Sequence, residues 1–569
     1  MDDSTTSTND DRHGLSRRNV LRGGAVAGAT AAIAAVTGGT PASAHQDYKE
    51  GTLRADLVLY NGRIHTMDAR NRVASVLAVQ DGKIVYVGND EKAARRGFEG
   101  TPRMINLRGR VAVPGLIDCH NHVVLMGNRP GYHTPLENAY SIADVQETYR
   151  QRAKGVPRGK FVTTIGGFHF NQFKEVRLPT LAELDKALPD HPAYVTIGFS
   201  GASATNSLGK KFFEAAELPV TVGADGSIAA GTETGKATLA LRRTLTPEDR
   251  RRGVLDAMAY ATSLGVTTHL DQGAFQATGT PSDGAAAEDN YRMHQPFLAV
   301  YDEGRGTIRL RINFLHQDTD TNLATLRQRL LNAFPMFGND MVRTGAIGEF
   351  IAANYSGGPV FLEAARQTAK AGWRVEVHSL SGTDFQTQIQ AFEAVNAETS
   401  IKDLRWVVAH VPRITQEYLN RLKALGGGVN LTGWQYLAGT GPAAGPPFRL
   451  IVDNGIPAGM SSDGMQIAPM NPWIHAYYAT TGLNARGQQI NAGQQIDRRE
   501  LLALYTRANQ WFLGGEDEDL LGSLEVGRLG DVVVLSDDYF TVPAEKLKKI
   551  RSVLTVVGGA VVHDTGDVR

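Results

Sequence analysis

The 569-residue chain contains a single cysteine, Cys119. One thiol excludes an intramolecular disulfide and a cysteine-rich metal site, so any bound metal ion would have to be held by histidines and carboxylates.

Charge bias is also lacking, because basic and acidic residues balance at 59 each. No stripe of lysine and arginine is interleaved with aromatic residues, which argues against nucleic acid as a partner. Hydrophobic residues make up 42% of the chain, enough for at least one large core.

The amino-terminal segment has the pattern of an export signal. Arg17 and Arg18 are followed by small and apolar residues at 23–39 and by a small-x-small cleavage site at 42–44. The pattern resembles a twin-arginine signal peptide over residues 1–44. A membrane anchor is the alternative, but the stretch is short and weakly hydrophobic for a spanning helix. We therefore expect the twin-arginine export machinery to deliver the mature protein outside the cytoplasmic membrane, secreted or in the periplasm or cell envelope, without a stable membrane anchor.

Both ends of the remaining chain have an all-β pattern. Between 55 and 107, short apolar runs are separated by the turn signals Asn61-Gly62 and Asp81-Gly82, which predict strands joined in hairpins. Apolar runs at 529–535 and 553–557 repeat this pattern. We expect residues 45–112 and 516–569 to be the two parts of one small sheet domain.

Between these ends, predicted helices alternate with short apolar runs. Helical patterns cover 141–154, 247–264, 323–332, 361–371, 384–396 and 417–425. The apolar runs are 111–117, 265–269, 310–314, 344–349, 374–378, 404–410, 427–431 and 457–463. Such alternation is typical of parallel strands with helical crossovers. The eight units predict an α/β fold with a (β/α)₈ barrel at 113–515, carrying an insertion at about 128–260.

Polar residues stand at the ends of several predicted strands, where a barrel would bring them to one mouth. They are His120, His122, Glu349, His378, His410 and Asp463. A His-x-His pair alone is a weak signal, since two loop histidines explain it equally well. Together the six residues predict a metal site, because three or four such ligands suit one divalent ion and six suit two ions that share a carboxylate.

Several motifs together indicate a family. They are Pro-Gly-Leu-Ile-Asp-Cys-His-Asn-His at 114–122, His378, His410, Ser-Asp-Gly at 462–464 with Asn-Pro at 471–472, and the segment 522–531. They resemble the amidohydrolase superfamily, and more narrowly its YtcJ-like, or amidohydrolase 3, group, which includes N-substituted formamide deformylase. The resemblance runs from about residue 55 to the carboxyl terminus. It implies a composite β-sandwich built from both chain ends, and metal-dependent hydrolysis of a non-peptide carbon–nitrogen bond in an amide, formamide or cyclic amide.

The resemblance also implies how the six ligands are used, with zinc as the expected metal. One ion would lie on His120, His122 and Asp463, and a second on His378 and His410. Many superfamily members bridge two ions with a carboxylated lysine, and because this strand offers no lysine, we infer Glu349 as the bridge from its position and chemistry. Without that bridge the site would hold one ion.

Asp463 is the expected general base. A divalent metal lowers the pKa of bound water from about 15.7 to near 7, and Asp463 would take the proton of the attacking water and deliver it to the leaving group. Asp118 would orient a ligand from outside the metal's contact shell, with a turn cap as the alternative.

Substrate selection is expected from the insertion and from the loop after the strand at 427–431. We expect His169, Asn171, Trp434 and Tyr436 to contact a small-molecule substrate, although an ordinary surface loop explains the last two equally well. The same metal site could instead serve a lyase, isomerase or decarboxylase, or the chain could be an inactive exported binding protein. The complete ligand set argues against the inactive alternative, and the sequence leaves a homo-oligomer open.

Overall fold

The computed structural model describes residues 53–91, 98–198, 201–273, 293–438 and 444–569. The predicted signal peptide at 1–44 lies outside the described residues. Within the described ranges, no helix is both long and apolar enough to cross a membrane.

The strands and helices follow the predicted alternation closely. The strands are β1 Leu53–Arg54, β2 Leu57–Tyr60, β3 Arg63–His65, β4 Val73–Ala74, β5 Val76–Gln80, β6 Lys83–Gly88, β7 Phe98–Glu99, β8 Arg103–Asn106, β9 Val111–Pro114, β10 Leu116–Asn121, β11 Tyr132–His133, β12 Val162–Ile165, β13 Ala193–Thr196, β14 Ser203–Thr205, β15 Ser227–Ile228, β16 Val266–Asp271, β17 Arg309–Phe314, β18 Val342–Ile347, β19 Glu376–Val377, β20 Val407–His410, β21 Gly428–Thr432, β22 Ala458–Ser461, β23 Val532–Leu535, β24 Ser552–Val557 and β25 Ala560–Asp564. The helices are α1 Val123–Gly127, α2 Ile142–Ala153, α3 Leu181–Ala187, α4 Ser207–Glu214, α5 Thr232–Arg242, α6 Pro247–Leu264, α7 Gln295–Asp302, α8 Ala324–Asn332, α9 Pro359–Lys370, α10 Gly382–Glu398, α11 Gln416–Ala424, α12 Gln435–Ala438, α13 Phe448–Asn454, α14 Pro472–Thr481, α15 Arg498–Leu504, α16 Gln510–Leu513, α17 Gly515–Leu520 and α18 Ala544–Leu547.

The central strands form two four-stranded parallel sheets, in the orders β10-β16-β17-β18 and β19-β20-β21-β22. Backbone contacts link the sheets on both sides. Ile347 and Val375 form a parallel bridge beside β18 and β19, and the Asp463 N–H donates to the His120 carbonyl over 2.9 Å beside β22 and β10. Because all these strands run in the same direction, residues at their carboxyl ends lie near one another.

Helix α6 illustrates how the sequence sets these elements. Thr246 caps its first turn by accepting a hydrogen bond from the Asp249 N–H, and Pro247 occupies the first helical position. The helix ends at Leu264 and is capped by Gly265, whose φ of 86° is readily adopted only by glycine. Strand β16 begins at the next residue, so this glycine turns the chain directly from the helix into the sheet.

The prediction of one strand over 111–117 is wrong. β9 and β10 belong to different sheets, and the chain passes between them at Gly115. The Gly115 N–H donates to the Asp531 carbonyl over 2.9 Å, whereas the Leu116 N–H donates to the Gly265 carbonyl over 3.0 Å. A Cβ atom at Gly115 would lie 2.2 Å from Thr267 Oγ1. The apolar run is therefore divided at the one residue without a side chain.

The two chain ends share a six-stranded sheet, in the order β25-β24-β23-β9-β3-β4. A four-stranded sheet, β6-β5-β2-β8, comes from the amino-terminal part alone. Asp81-Gly82 joins the antiparallel pair β5 and β6, which confirms that hairpin. The hairpin predicted at Asn61-Gly62 is wrong, because this turn carries the chain from β2 in one sheet to β3 in the other. One buried apolar cluster contains side chains of both sheets, including Leu57 and Val532.

The chain between β10 and β16 builds a further sheet, in the order β11-β12-β13-β14-β15. The first three strands are parallel and the last two join antiparallel. Two apolar clusters consist of side chains from this region, one around Tyr149 and one around Tyr194. The extra length predicted as an insertion thus has a sheet and buried clusters of its own.

Candidate metal centre

The six predicted ligands lie together at the carboxyl ends of the central strands. His120 lies within β10 and His122 just beyond it, Glu349 follows β18 by two residues, His378 directly follows β19, His410 ends β20, and Asp463 follows β22 by two residues. All but His378 are buried.

His120 and His122 face two carboxylates. The His122 Nε2 atom lies 3.3 Å from Asp463 Oδ1 and 3.7 Å from Glu349 Oε1. The His120 Nε2 atom lies 3.6 Å from Asp463 Oδ1 and 3.5 Å from Glu349 Oε2. The alternation of side chains therefore brings both imidazoles of the His-x-His motif to one side, as the sequence predicted.

Glu349 also joins a second group of donors. Its Oε2 atom lies 2.9 Å from His378 Nδ1 and 3.2 Å from His410 Nε2, and these two ring nitrogens are 2.9 Å apart. The ligand atoms of Glu349, His378 and His410 lie within 4.8 Å of one another, as do those of Glu349, His120 and His122. Glu349 therefore occupies the position between two sets of imidazole donors.

The donor atoms of His120 and His122 fit a divalent ion. The Nδ1 atom of His120 donates to Glu376 Oε1, and that of His122 donates to the Gly273 carbonyl, each over 2.6 Å. Their Nε2 atoms are buried and have no hydrogen-bond partner within the described part of the chain. Among the described residues, buried ring nitrogens without a partner also occur at His269 and His475. The pair at His120 and His122 differs because both Nε2 atoms face Glu349 and Asp463, which together make a donor set for a cation. A histidine whose other nitrogen is held in this way is the usual form of a metal ligand.

The local charges keep both carboxylates ionised. Burial alone would raise the pKa of Asp463, but the neighbouring rings of His410, His120 and His122 bring it below its usual range. Burial likewise opposes ionisation of Glu349, and His378, His120 and His410 lower its pKa well below the usual range. Two negative charges among several imidazoles suit binding of a cation.

Two of the six residues have left-handed backbone, with φ of 67° at His410 and 53° at Asp463. This region costs a residue other than glycine about 1–3 kcal/mol and persists only where the surroundings impose it, most often at functional sites. Both residues stand where a strand ends, so the backbone turn directs their side chains into the cluster.

The cluster is accessible beside His378. This side chain is 18% exposed, whereas those of His120, His122 and His410 are 0% exposed. The ring of Phe350 stacks on His378 with centroids 5.4 Å apart, and the ring of Tyr355 meets its edge at 4.8 Å. A molecule that reaches the cluster from this side would pass aromatic walls.

Asp118 ties two of the ligand-bearing segments together. Its Oδ1 atom accepts from the Ser462 N–H over 3.0 Å and from the His120 N–H over 3.3 Å, and its Oδ2 accepts from the Ser462 hydroxyl. The carboxylate thus contacts the residue next to Asp463 rather than the donor cluster itself. The contacts with Ser462 fit the expected orienting role, and the hydrogen bond from the His120 N–H is the one that the alternative turn cap would make.

The predicted substrate contacts lie where the insertion meets α12. The Asn171 side-chain amide donates to the Leu437 carbonyl over 3.4 Å, and its N–H donates to His169 Nδ1 over 3.0 Å. Trp434 is partly buried, whereas Tyr436 is fully buried, with its ring 6.2 Å from that of Tyr477. Their contact with a substrate stays a prediction.

Sequence reasoning missed Glu376 and Gly273, which hold the outer nitrogens of His120 and His122. Glu376 carried a signal, because it is a charged residue between two valines, two positions before His378. Gly273 carried none, since its contact uses a backbone carbonyl.

Parallel strands with a cluster of histidines and carboxylates at their carboxyl ends are typical of metal-dependent α/β enzymes. The model of the Amidohydrolase family matches residues 103–563. The chain therefore belongs to the amidohydrolase family, as the motifs predicted, and it is a metal-dependent hydrolase of carbon–nitrogen bonds.

Comparisons with individual proteins also find relatives of this kind. The chain is 22% identical to the N-substituted formamide deformylase of Arthrobacter pascens, over 90% of this chain and 99% of that protein. Its fold is similar to that of an uncharacterized metal-dependent hydrolase from Pyrococcus furiosus, with a TM-score of 0.57, 18% identity and coverage of 85% of this chain and 99% of that one. It is also similar to the atrazine chlorohydrolase TrzN of Arthrobacter aurescens TC1, solved with zinc, with a TM-score of 0.51, 17% identity and coverage of 89% and 95%.

Proposed function

We propose that the protein is an exported zinc-dependent amidohydrolase that cleaves an amide, formamide or cyclic amide bond with Asp463 as the general base. The catalytic domain would be a (β/α)₈ barrel at 113–515, closed through the bridge at Ile347 and the hydrogen bond from Asp463 to His120. The shared six-stranded sheet supports a composite β-sandwich at 45–112 and 516–569.

The donor set supports one or two divalent ions. His120, His122 and Asp463 would hold one ion, and His378 and His410 a second, with Glu349 between them. A divalent ion held there would supply a water of lowered pKa and polarise the substrate carbonyl. Zinc is the preferred candidate because imidazole nitrogen and carboxylate oxygen are its usual ligands in hydrolases, and because the similar chlorohydrolase was solved with zinc.

Asp463 would carry the proton. The nearby imidazoles hold its pKa below the usual range, so the group is ionised. As a carboxylate beside the donor cluster, it would take the proton that the water loses as its oxygen bonds to the substrate carbon. The same carboxyl group would then give that proton to the departing nitrogen as the carbon–nitrogen bond breaks. His169, Asn171, Trp434 and Tyr436 would contribute to the substrate-binding surface, with Phe350 and Tyr355 beside the open edge of the cluster.

The observation that carries the proposal is the orphaned pair of buried Nε2 atoms on His120 and His122, facing Glu349 and Asp463. The test is metal analysis of purified protein, followed by a screen of N-formyl, N-acyl and cyclic amides for loss of the amide and formation of a carboxylate. We expect bound or activating divalent metal and hydrolysis of at least one amide class. A protein with neither bound nor activating metal would overturn the proposal.

Labelled water separates hydrolysis from other reactions at the same site. Hydrolysis in ¹⁸O water places one heavy oxygen in the released acid, whereas a lyase, isomerase or decarboxylase reaction without net water addition places none. Unlabelled product from an active enzyme would favour those reactions over amide hydrolysis.

Export would follow the twin-arginine route. Because Arg17 and Arg18 are the residues that define the signal pattern, the double variant Arg17→Lys and Arg18→Lys should accumulate in the cytoplasm, with its 1–44 segment uncleaved. Cell fractionation with an antibody against the mature protein would measure this. Unchanged export of the double variant would contradict the proposed route.

A further inference from the structure

Glu376 lies beneath the metal centre and is fully buried. Its Oε1 atom lies 2.6 Å from Nδ1 of His120, whose own side chain is also 0% exposed. The opposite nitrogen of the same ring, Nε2, faces Glu349 and Asp463. A ring whose Nδ1–H donates to a carboxylate has its lone pair on Nε2, the atom that points into the cluster.

The Glu376 carboxylate is itself held in place. The Asn430 side-chain amide donates to Oε1 over 3.1 Å, and the Ser461 hydroxyl fixes that amide by donating to Asn430 Oδ1 over 2.5 Å. On the other side, Arg374 Nη2 lies 3.5 Å from Glu376 Oε2. Arg374 is 5% exposed, so its guanidinium is a buried positive charge beside the buried carboxylate. These contacts leave Glu376 little freedom to move away from His120.

The two histidines of the His-x-His motif are held differently. His122 donates to a backbone carbonyl, that of Gly273, which fixes its ring without a charge. His120 donates to a carboxylate, which fixes the ring and also places negative charge beside it. Burying a carboxylate is unfavourable unless it is paired, and Glu376 is paired on two sides. Arg374 lies beside Oε2 and the His120 ring beside Oε1, and only the contact with His120 connects the carboxylate to the metal centre.

We propose that Glu376 is a positioning residue, which holds His120 with its proton on Nδ1 and so presents Nε2 as a strong metal donor. Arg374 and Asn430 hold Glu376 in the position that this requires. The inference rests on the proposed metal centre. It adds that ligand strength at this centre depends on a carboxylate that never touches the ion.

The test compares metal affinity in Glu376→Ala, Glu376→Gln and a matched control. Loss of a carboxylate behind a metal-bound histidine typically weakens metal binding about 10- to 100-fold, and we expect this for Glu376→Ala. Glu376→Gln should lose less, because its side-chain oxygen can still accept from Nδ1–H. The matched control is Asp517→Asn, since Asp517 is an equally buried carboxylate that pairs with Arg311 over 2.5 Å and contacts none of the six ligands.

The measurements are zinc dissociation constants by competition with a chelator and the visible spectrum of the Co²⁺-substituted protein. We expect a shifted cobalt spectrum for both Glu376 variants and wild-type zinc affinity and spectrum for Asp517→Asn. Wild-type affinity in Glu376→Ala, or equal loss in Asp517→Asn, would overturn the positioning role. If the wild-type protein bound no metal, the proposed function itself would fail, which is a distinguishable result.

Discussion

Two groups of buried charged residues lie on or beside the central strands. They differ in how many of their polar atoms have a hydrogen-bond partner. Near the amino end of β17, Arg309 and Arg311 each donate two hydrogen bonds to a single carboxylate, that of Asp531 and Asp517 respectively, over 2.5–3.0 Å. At the carboxyl ends, the metal centre combines carboxylates with histidines whose nitrogens are partly unpaired within the described residues. Burial of charge is common to both groups, so it does not identify the functional site. The metal centre differs because ring nitrogens of His120 and His122 that are unpaired among the described residues face two carboxylates there.

Asp463→Asn should have the largest effect, because the amide cannot accept the water proton. A positioned acid–base group contributes about 10²- to 10⁴-fold to rate, and we expect kcat to fall within that range. Steady-state kinetics with metal analysis of the same sample would check this. Full turnover by an Asp463→Asn protein that retains its metal would exclude Asp463 as the base.

Asp517→Asn should affect stability and spare catalysis. Removing one partner of a buried ion pair costs about 3–5 kcal/mol, because the remaining charge is left uncompensated. Denaturant unfolding should show this loss in the free energy of unfolding, while kcat per folded molecule stays at the wild-type value. A loss of kcat with unchanged stability would mean that the two groups of charges do not have separate roles.

The six candidate ligands could be found in the sequence because they follow strands. Polar residues at the ends of apolar runs, such as His410 and Asp463, are recognisable without knowing which strands are neighbours. Glu376 is different, because its contact with His120 joins β19 and β10, which belong to two separate sheets. No local pattern encodes that proximity.

The strand errors have a similar cause. An apolar run such as 111–117 predicts that its side chains are buried, but it does not predict to which sheet each part of the run belongs. Gly115 divides the run because Thr267, about 150 residues later, occupies the space that a side chain would need. In the same way, Asn61-Gly62 predicts a turn correctly, but the pairing of β2 and β3 with other strands is set by distant segments.

Glu137 is a third kind of buried carboxylate. It is neither paired closely with an arginine, as Asp531 is, nor surrounded by histidines, as Asp463 is, and it is held mainly by neutral hydrogen-bond donors. It accepts from the Tyr260 hydroxyl over 2.5 Å and from the N–H groups of Asn471, over 3.1 Å, and Met470. Burial raises its pKa from 4.5 to about 7, against the opposing effects of these donors and of Arg551.

This shift predicts a pH dependence of stability. Because the folded-state pKa lies above the unfolded value, the contribution of Glu137 is fully present below pH 4.5 and is lost as pH rises through about 7. At about 1.4 kcal/mol per pKa unit the loss is at most about 3 kcal/mol. The free energy of unfolding of wild type minus that of Glu137→Gln, measured at pH 5 and pH 8, should fall by up to this amount. An equal difference at both pH values would contradict the raised pKa.

Added zinc should stabilise the protein through the metal centre alone. A ligand at about 100 times its dissociation constant raises the free energy of unfolding by about 2.7 kcal/mol when only the folded state binds it. His122→Ala removes a donor whose Nε2 faces both Glu349 and Asp463, so at the same zinc concentration its stabilisation should be much smaller. Asp517→Asn should retain the full increment despite its lower starting stability, because its ion pair lies away from the six ligands. Calorimetry of the three proteins with and without zinc would measure these increments, and an equal increment in His122→Ala would place the bound zinc somewhere other than the orphaned histidine nitrogens.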